Sequence, residues 1–137
     1  MVHDLWALDR ISEARDVARR VPGDVDYKFF MACSNHLLGS GSANVDKEAR
    51  DVAAILATIP DPETRYVIGS EFVFCGQSSL AFPILKKAIE DHYCAYDALE
   101  KDPLLKLIQG TPELAELRTE AKQCRDNFLA QRDQIAH

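Results

Sequence analysis

The chain has no apolar run approaching the ~18 residues that a transmembrane helix needs, so nothing in it reads as a membrane span. It has no Lys/Arg run longer than Arg19-Arg20 or Lys86-Lys87, and its net charge is -6. Binding a phosphate backbone requires a basic patch that releases counterions, so nucleic acid is not expected as a direct partner. The first residues, Met-Val-His-Asp-Leu-Trp, are acidic where a secretory signal would be basic. The expected location is therefore the cytoplasm. Cys33, Cys75, Cys94 and Cys124 form no CxxC pair, and each is flanked by apolar or helical sequence. They read as buried, reduced thiols, because a disulfide framework belongs to secreted chains. No stretch alternates apolar and polar residues long enough to predict a strand.

What remains is helical almost throughout. At 137 residues, 47% apolar and 28% charged, the chain has the size and composition of one domain with a real core. Leu5, Leu8, Ile11, Ala14, Val17, Ala18 and Val21 recur at three and four residues, which predicts an amphipathic helix over about 3–20. Val21-Pro22-Gly23-Asp24 breaks it. A second helix is expected over 25–38, and Gly39-Ser-Gly-Ser-Ala-Asn44 reads as a flexible connector. A third helix is expected over 45–58, ended by Pro60-Asp61-Pro62. Helices over 63–76 and 78–92 follow, with Ser79 as N-cap and Pro83 in the first turn. Asp102-Pro103 and Thr111-Pro112 are matching start signals, the first for a short helix ending at Gly110. The second opens a last helix over 112–135 with a Leu114, Leu117, Ala121, Cys124, Phe128 and Ile135 stripe.

Two antiparallel helices approach closely only where small side chains sit at the crossing. Gly69 and Ala81 are placed to be those points, with Phe72 and Leu85 filling the gap beside them and Gly76 supplying the turn. Residues 62–95, running Arg65-x-x-Ile68-Gly69-x-x-Phe72, Gly76, then Ala81-x-x-x-Leu85-x-x-Ala88, resemble one tetratricopeptide (TPR) repeat of about 34 residues. Arg65 replaces the usual tryptophan and Tyr93 the usual closing proline. Residues 25–61 resemble a degenerate repeat, with Met31-Ala32 standing for Ile68-Gly69. Residues 3–24 resemble a half repeat or an N-terminal helix. The segment 89–128 is similar to the one closing TPR arrays in some large bacterial regulatory proteins, which makes 96–137 a helical cap.

The resemblance implies an all-α fold: TPR-like helical hairpins in a right-handed superhelix with a helical C-terminal cap. It implies a protein–protein interaction scaffold rather than an enzyme, belonging to a larger bacterial regulator or self-associating. An array that opens on a half repeat fits the C-terminal piece of a larger protein; with a native Met1, the first helix would be a cap instead. In such arrays the first helix of each pair lines the concave surface. That places Phe29, Cys33, His36, Leu37, Tyr66, Ser70, Val73 and Phe74 in a peptide-binding groove, with the core as the competing location. A small-molecule sensor using the same aromatic positions as a pocket is the alternative.

Other chemistry is thinly represented. His92-Tyr93-Cys94, with Asp91 or Cys75, is the densest set of metal ligands, but zinc sites show paired ligands at short spacing on both sides. Cys33 and His36 share a helix face, yet a nucleophile also needs an orienting third group. There is no P-loop, GxGxxG or GxSxG. No catalytic residue, metal or cofactor is expected. Glu13, Glu48, Glu63, Glu71, Glu113 and Glu116 read as solvated charge. If the first helix lacks a partner, Trp6, Leu5, Leu8 and Ile11 would be open, which predicts a homodimer through the N-terminal helix.

Overall fold

A computed structural model of the protein describes residues 2–20, 27–39 and 44–135. Along them run α1 (Val2–Ala7), α2 (Ile11–Arg19), α3 (Tyr27–Leu37), α4 (Val45–Leu56), α5 (Pro62–Phe74) and α6 (Ser78–Glu90). Then come α7 (Tyr96–Lys101), a 3₁₀ helix (Pro103–Ile108) and α8 (Pro112–Ile135). The fold is all-α, with no strand among the described residues. The break read at 21–24, most of the Gly/Ser connector and His137 lie outside the described residues.

Local chemistry sets most helix starts. Asn44 accepts the Lys47 N–H at 3.0 Å and opens α4. Asp61 accepts the Glu63 N–H at 3.1 Å, Asp102 the Leu104 N–H at 2.9 Å, and Thr111 Oγ1 the Leu114 N–H at 3.3 Å. Each of the last three is followed by a proline, whose missing N–H would have been an orphan anyway. Helix α6 starts at Ser78 after Gln77, one residue before the Ser79 cap expected from sequence. Pro83 consequently lies beyond the first turn, where it costs α6 a backbone hydrogen bond.

Three helix ends share one device. At Gly76 (φ 79°) the Gly76 N–H donates to Val73 O at 3.0 Å and the Gln77 N–H to Phe72 O at 2.8 Å. Asp9 (φ 59°) repeats the pattern with Trp6 O and Leu5 O, and His92 (φ 75°) with Ile89 O and Ala88 O. This left-handed cap usually carries glycine. Because Asp9 provides it, the single helix expected over 3–20 is two helices, and α1 turns back instead of running on into α2.

Helices α5 and α6 form the most extensive contact in the structure. A Cβ on Gly69 would stand 2.8 Å from Leu85 Cδ2 and 3.0 Å from Leu85 Cγ, so this crossing exists because residue 69 has no side chain. Phe72, Ala81, Leu85 and Ala88 are all buried around it. The apolar core continues through Phe29, Leu99, Leu104, Leu105 and Leu114.

The cysteines require a correction. Cys33 of α3 is bonded to Cys75 at the end of α5, with Cα atoms 5.7 Å apart, and Cys94 is bonded to Cys124 of α8, with Cα atoms 5.4 Å apart. Both distances suit a disulfide. Pairs 42 and 30 residues apart are joined by tertiary packing, which leaves no short-range spacing to read. Both cysteines of the first bond are buried in the core, while both cysteines of the second are half-buried.

Replacing Gly69 with Val should lower stability by about 2 kcal/mol or more, from overpacking against Leu85. Urea denaturation checks this, and an unchanged midpoint would mean that α5 and α6 separate freely.

Candidate functional site: a closed inner face and an open cleft

The 3₁₀ helix packs on α5, and α1 reaches α5 through Trp6 on Phe74 and His3 beside Glu71. The indole of Trp6 stacks on Phe74 at 5.4 Å between centroids and meets Phe30 edge-on at 5.4 Å and Phe29 at 6.3 Å. Its Nε1–H donates to Ser34 Oγ at 3.3 Å. Trp6 is 1% exposed. The expectation that Trp6 stands open for a second copy is therefore corrected, because the turn at Asp9 folds it inward. Leu5 and Ile11 are half-buried, and Leu8, 64% exposed, is the residue of that set left facing solvent.

This arrangement decides where the expected groove residues lie. Phe29, Cys33, Tyr66, Ser70 and Val73 are buried, and Phe74 is half-buried under Trp6. His36 and Leu37 are exposed. Within this set, Phe29 and Phe74 are in contact with the chain's own Trp6.

The closed face also holds polar groups that sequence reasoning assigned elsewhere. Glu71 is buried, which corrects its reading as solvated charge. Its carboxylate stands 3.4 Å from His3 Nδ1 of α1, an ion-pair distance at the outer limit of a hydrogen bond. Glu71, as acceptor and as charge, raises the His3 pKa above its ordinary 6.5; partial burial opposes this, and the charges of Asp102 and Asp4 add to it. Tyr66 donates its hydroxyl to Asp102 Oδ2 at 2.9 Å, and burial followed by the Asp102 charge pushes the phenol's pKa up. The other Asp102 oxygen caps the 3₁₀ helix, so one carboxylate ties α5 to the cap. The carboxylate three residues after Ile68, on the same helix face, was the signal available for Glu71.

Elsewhere the polar groups are structural. Arg65 reaches Asp91 at 2.6 Å, and Lys87 reaches the same carboxylate at 2.8 Å. Lys87 first, then Arg65, holds the Asp91 carboxyl below its usual range. The Cys33 sulfur is bonded to that of Cys75, so it is not poised as a nucleophile beside His36. Among the described residues, no three His, Cys, Asp or Glu side chains converge as a metal site.

The open feature lies at the other end. Between the C-terminal end of α6 and the second half of α8 runs a cleft of about 780 Å³, lined by residues that include Ile89, His92, Cys94, Gln123, Cys124 and Phe128. Helix α8 buries Leu114, Leu117 and Ala121, but past Cys124 its stripe faces outward, with Phe128 62% and Ile135 86% exposed. The periodicity predicted this stripe without indicating that Phe128 and Ile135, two of its six residues, face solvent.

The His3–Glu71 pair makes the docking of α1 depend on pH. A folded pKa above the unfolded one gives stability that is complete below the unfolded value and lost as pH rises through the folded value. The urea midpoint of the wild type should exceed that of His3→Asn by more at about pH 6 than at about pH 8. Equal differences at both would show that His3 stays neutral against Glu71. No protein-family model, no curated protein and no solved structure matches this chain.

Proposed function

We propose that this chain is a non-catalytic protein-interaction scaffold: TPR-like hairpins in a right-handed superhelix, closed by a helical cap, within a larger bacterial regulatory protein. The close α5–α6 crossing at Gly69 and the glycine turn at Gly76 support the repeat reading. The observation that carries the interaction reading is the open cleft beside α8, flanked by exposed Phe128. Phe128 is a large apolar side chain exposed at the opening of that cleft. The binding surface in this proposal is therefore the cap cleft, with His36 and Leu37 as the part of the concave set that remains reachable.

The small-molecule alternative is less well supported. Its aromatic pocket would need Phe29, Tyr66 and Phe74, and these pack on Trp6, Phe72 and Tyr93. A homodimer through the N-terminal helix would have to rest on Leu8, since Trp6 is turned inward. A cytoplasmic setting bears on the disulfides: reductants there keep cysteines as thiols unless the bond is sheltered. Cys33–Cys75 is sheltered, and Cys94–Cys124 is much less so.

A photo-crosslinking amino acid at position 128, expressed in the native host, tests the reading. Discrete adducts at 128 and none with the same probe at the exposed polar position Lys122 are expected. Equal or absent labelling at both positions would remove the cleft from consideration.

A further inference from the structure

We propose that Cys94–Cys124 is a reducible clasp, a thiol–disulfide exchange site for a dithiol reductant, and that it sets the position of the cap helix beside the cleft. The consequence for binding rests on the interaction reading above; the exchange chemistry does not.

Four observations carry it. The two disulfides differ in access: Cys33 and Cys75 are buried in the core, whereas Cys94 and Cys124 are half-buried and both line the open cleft. Exchange requires an attacking thiolate to reach a disulfide sulfur, so access separates the two bonds. The reduced state also has acceptors in place. Cys94 Sγ stands 3.7 Å from the His92 carbonyl oxygen and Cys124 Sγ 3.9 Å from the Ile89 carbonyl oxygen, distances at which a new S–H could donate to each. These acceptors sit at the C-terminal end of α6 and just after it, within reach of each thiol once the two sulfurs move apart.

The third observation concerns what the bond holds. It ties the segment after α6 to α8 at the point where the buried stripe of α8 ends. The fourth is how little else fastens that point. Arg125 lies over the Tyr96 ring at 4.4 Å and reaches the exposed Asp97 at 3.8 Å, and Asp126, Asn127 and Phe128 are all exposed. Past Cys124 the helix keeps the Arg125 contacts and a half-buried Leu129, and the disulfide fastens it just before them.

The chemistry balances with a dithiol as the electron donor. Its thiolate attacks one of the two sulfurs and the Cys94–Cys124 bond breaks. The other cysteine leaves as a thiolate and takes up a proton, giving a mixed disulfide. The reductant's second thiol, as thiolate, attacks its own sulfur in that mixed disulfide and releases the remaining cysteine, which is protonated in turn. Two electrons and two protons pass to the protein, and the reductant becomes its own disulfide. Oxidation by a disulfide of the same class reverses the sequence.

The test treats the folded wild-type protein with graded dithiothreitol, quenches by alkylation and reads each cysteine by peptide mass spectrometry. Cys94 and Cys124 should open at a rate about tenfold or more above that of Cys33 and Cys75, as access to the sulfur governs exchange. In the partly reduced protein, hydrogen exchange should quicken over 122–135 and stay unchanged in α5 and α6. The Cys94→Ser/Cys124→Ser variant should show that exchange pattern without reductant. Simultaneous opening of both pairs, survival of Cys94–Cys124 until the protein unfolds, or selective reduction with unaltered exchange in α8 would each overturn the clasp. If the double variant does not fold, the wild-type titration decides alone. Selective reduction with no crosslinks at position 128 would leave the clasp standing and remove the interaction reading.

Discussion

The seating of Trp6 in the inner face of α3 and α5 is the contact on which the arrangement of this protein depends. One indole meets Phe29, Phe30 and Phe74 and places its N–H on Ser34, so α1, α3 and α5 converge on a single side chain. Truncating a fully buried aromatic side chain removes about 3–5 kcal/mol, more than any ion pair at this surface contributes. The 3₁₀ helix lies beside α1 on α5, and the Tyr66–Asp102 hydrogen bond joins α5 to its start. Phe128 and Ile135, in the far half of α8, are among the large apolar residues left exposed, with Leu8 and Leu107 elsewhere.

The polar groups beneath α1 refine this arrangement without causing it. Glu71 carries a charge in a place that would penalise it strongly if unpaired, and His3 arrives on the same short helix as Trp6. The aromatic contact supplies the attraction that docks α1, and the acid–base pair makes that docking sensitive to proton concentration. The two disulfides divide similarly: one joins α3 to the end of α5 in the core, the other reaches α8 just past its last buried residue.

The hairpin α5–α6 was legible because its signals are local. Gly69, Ala81, Leu85 and Gly76 stand at fixed offsets, and Asp102-Pro103 and Thr111-Pro112 announce their helices within two residues. What was not legible depended on distant partners or on residues in an atypical role. Asp9 and His92 occupy left-handed positions usually held by glycine, so the end of α1 passed unseen and Trp6 was expected on the outside. Helix α7, which follows Ala95, has no side-chain cap to announce it. Groove and core residues such as Phe29 and Val73 are apolar at the same spacing in either location. Only the identity of the segment lying over them, here α1 and the 3₁₀ helix, separates the two.

Trp6 is the sole tryptophan of the chain, so its fluorescence reports directly on the central contact. The folded protein should emit at short wavelength and resist quenching by acrylamide, and both properties should be lost together on unfolding in urea. Long-wavelength emission and free quenching in the folded protein would show α1 undocked, and the account of a self-filled inner face would be contradicted.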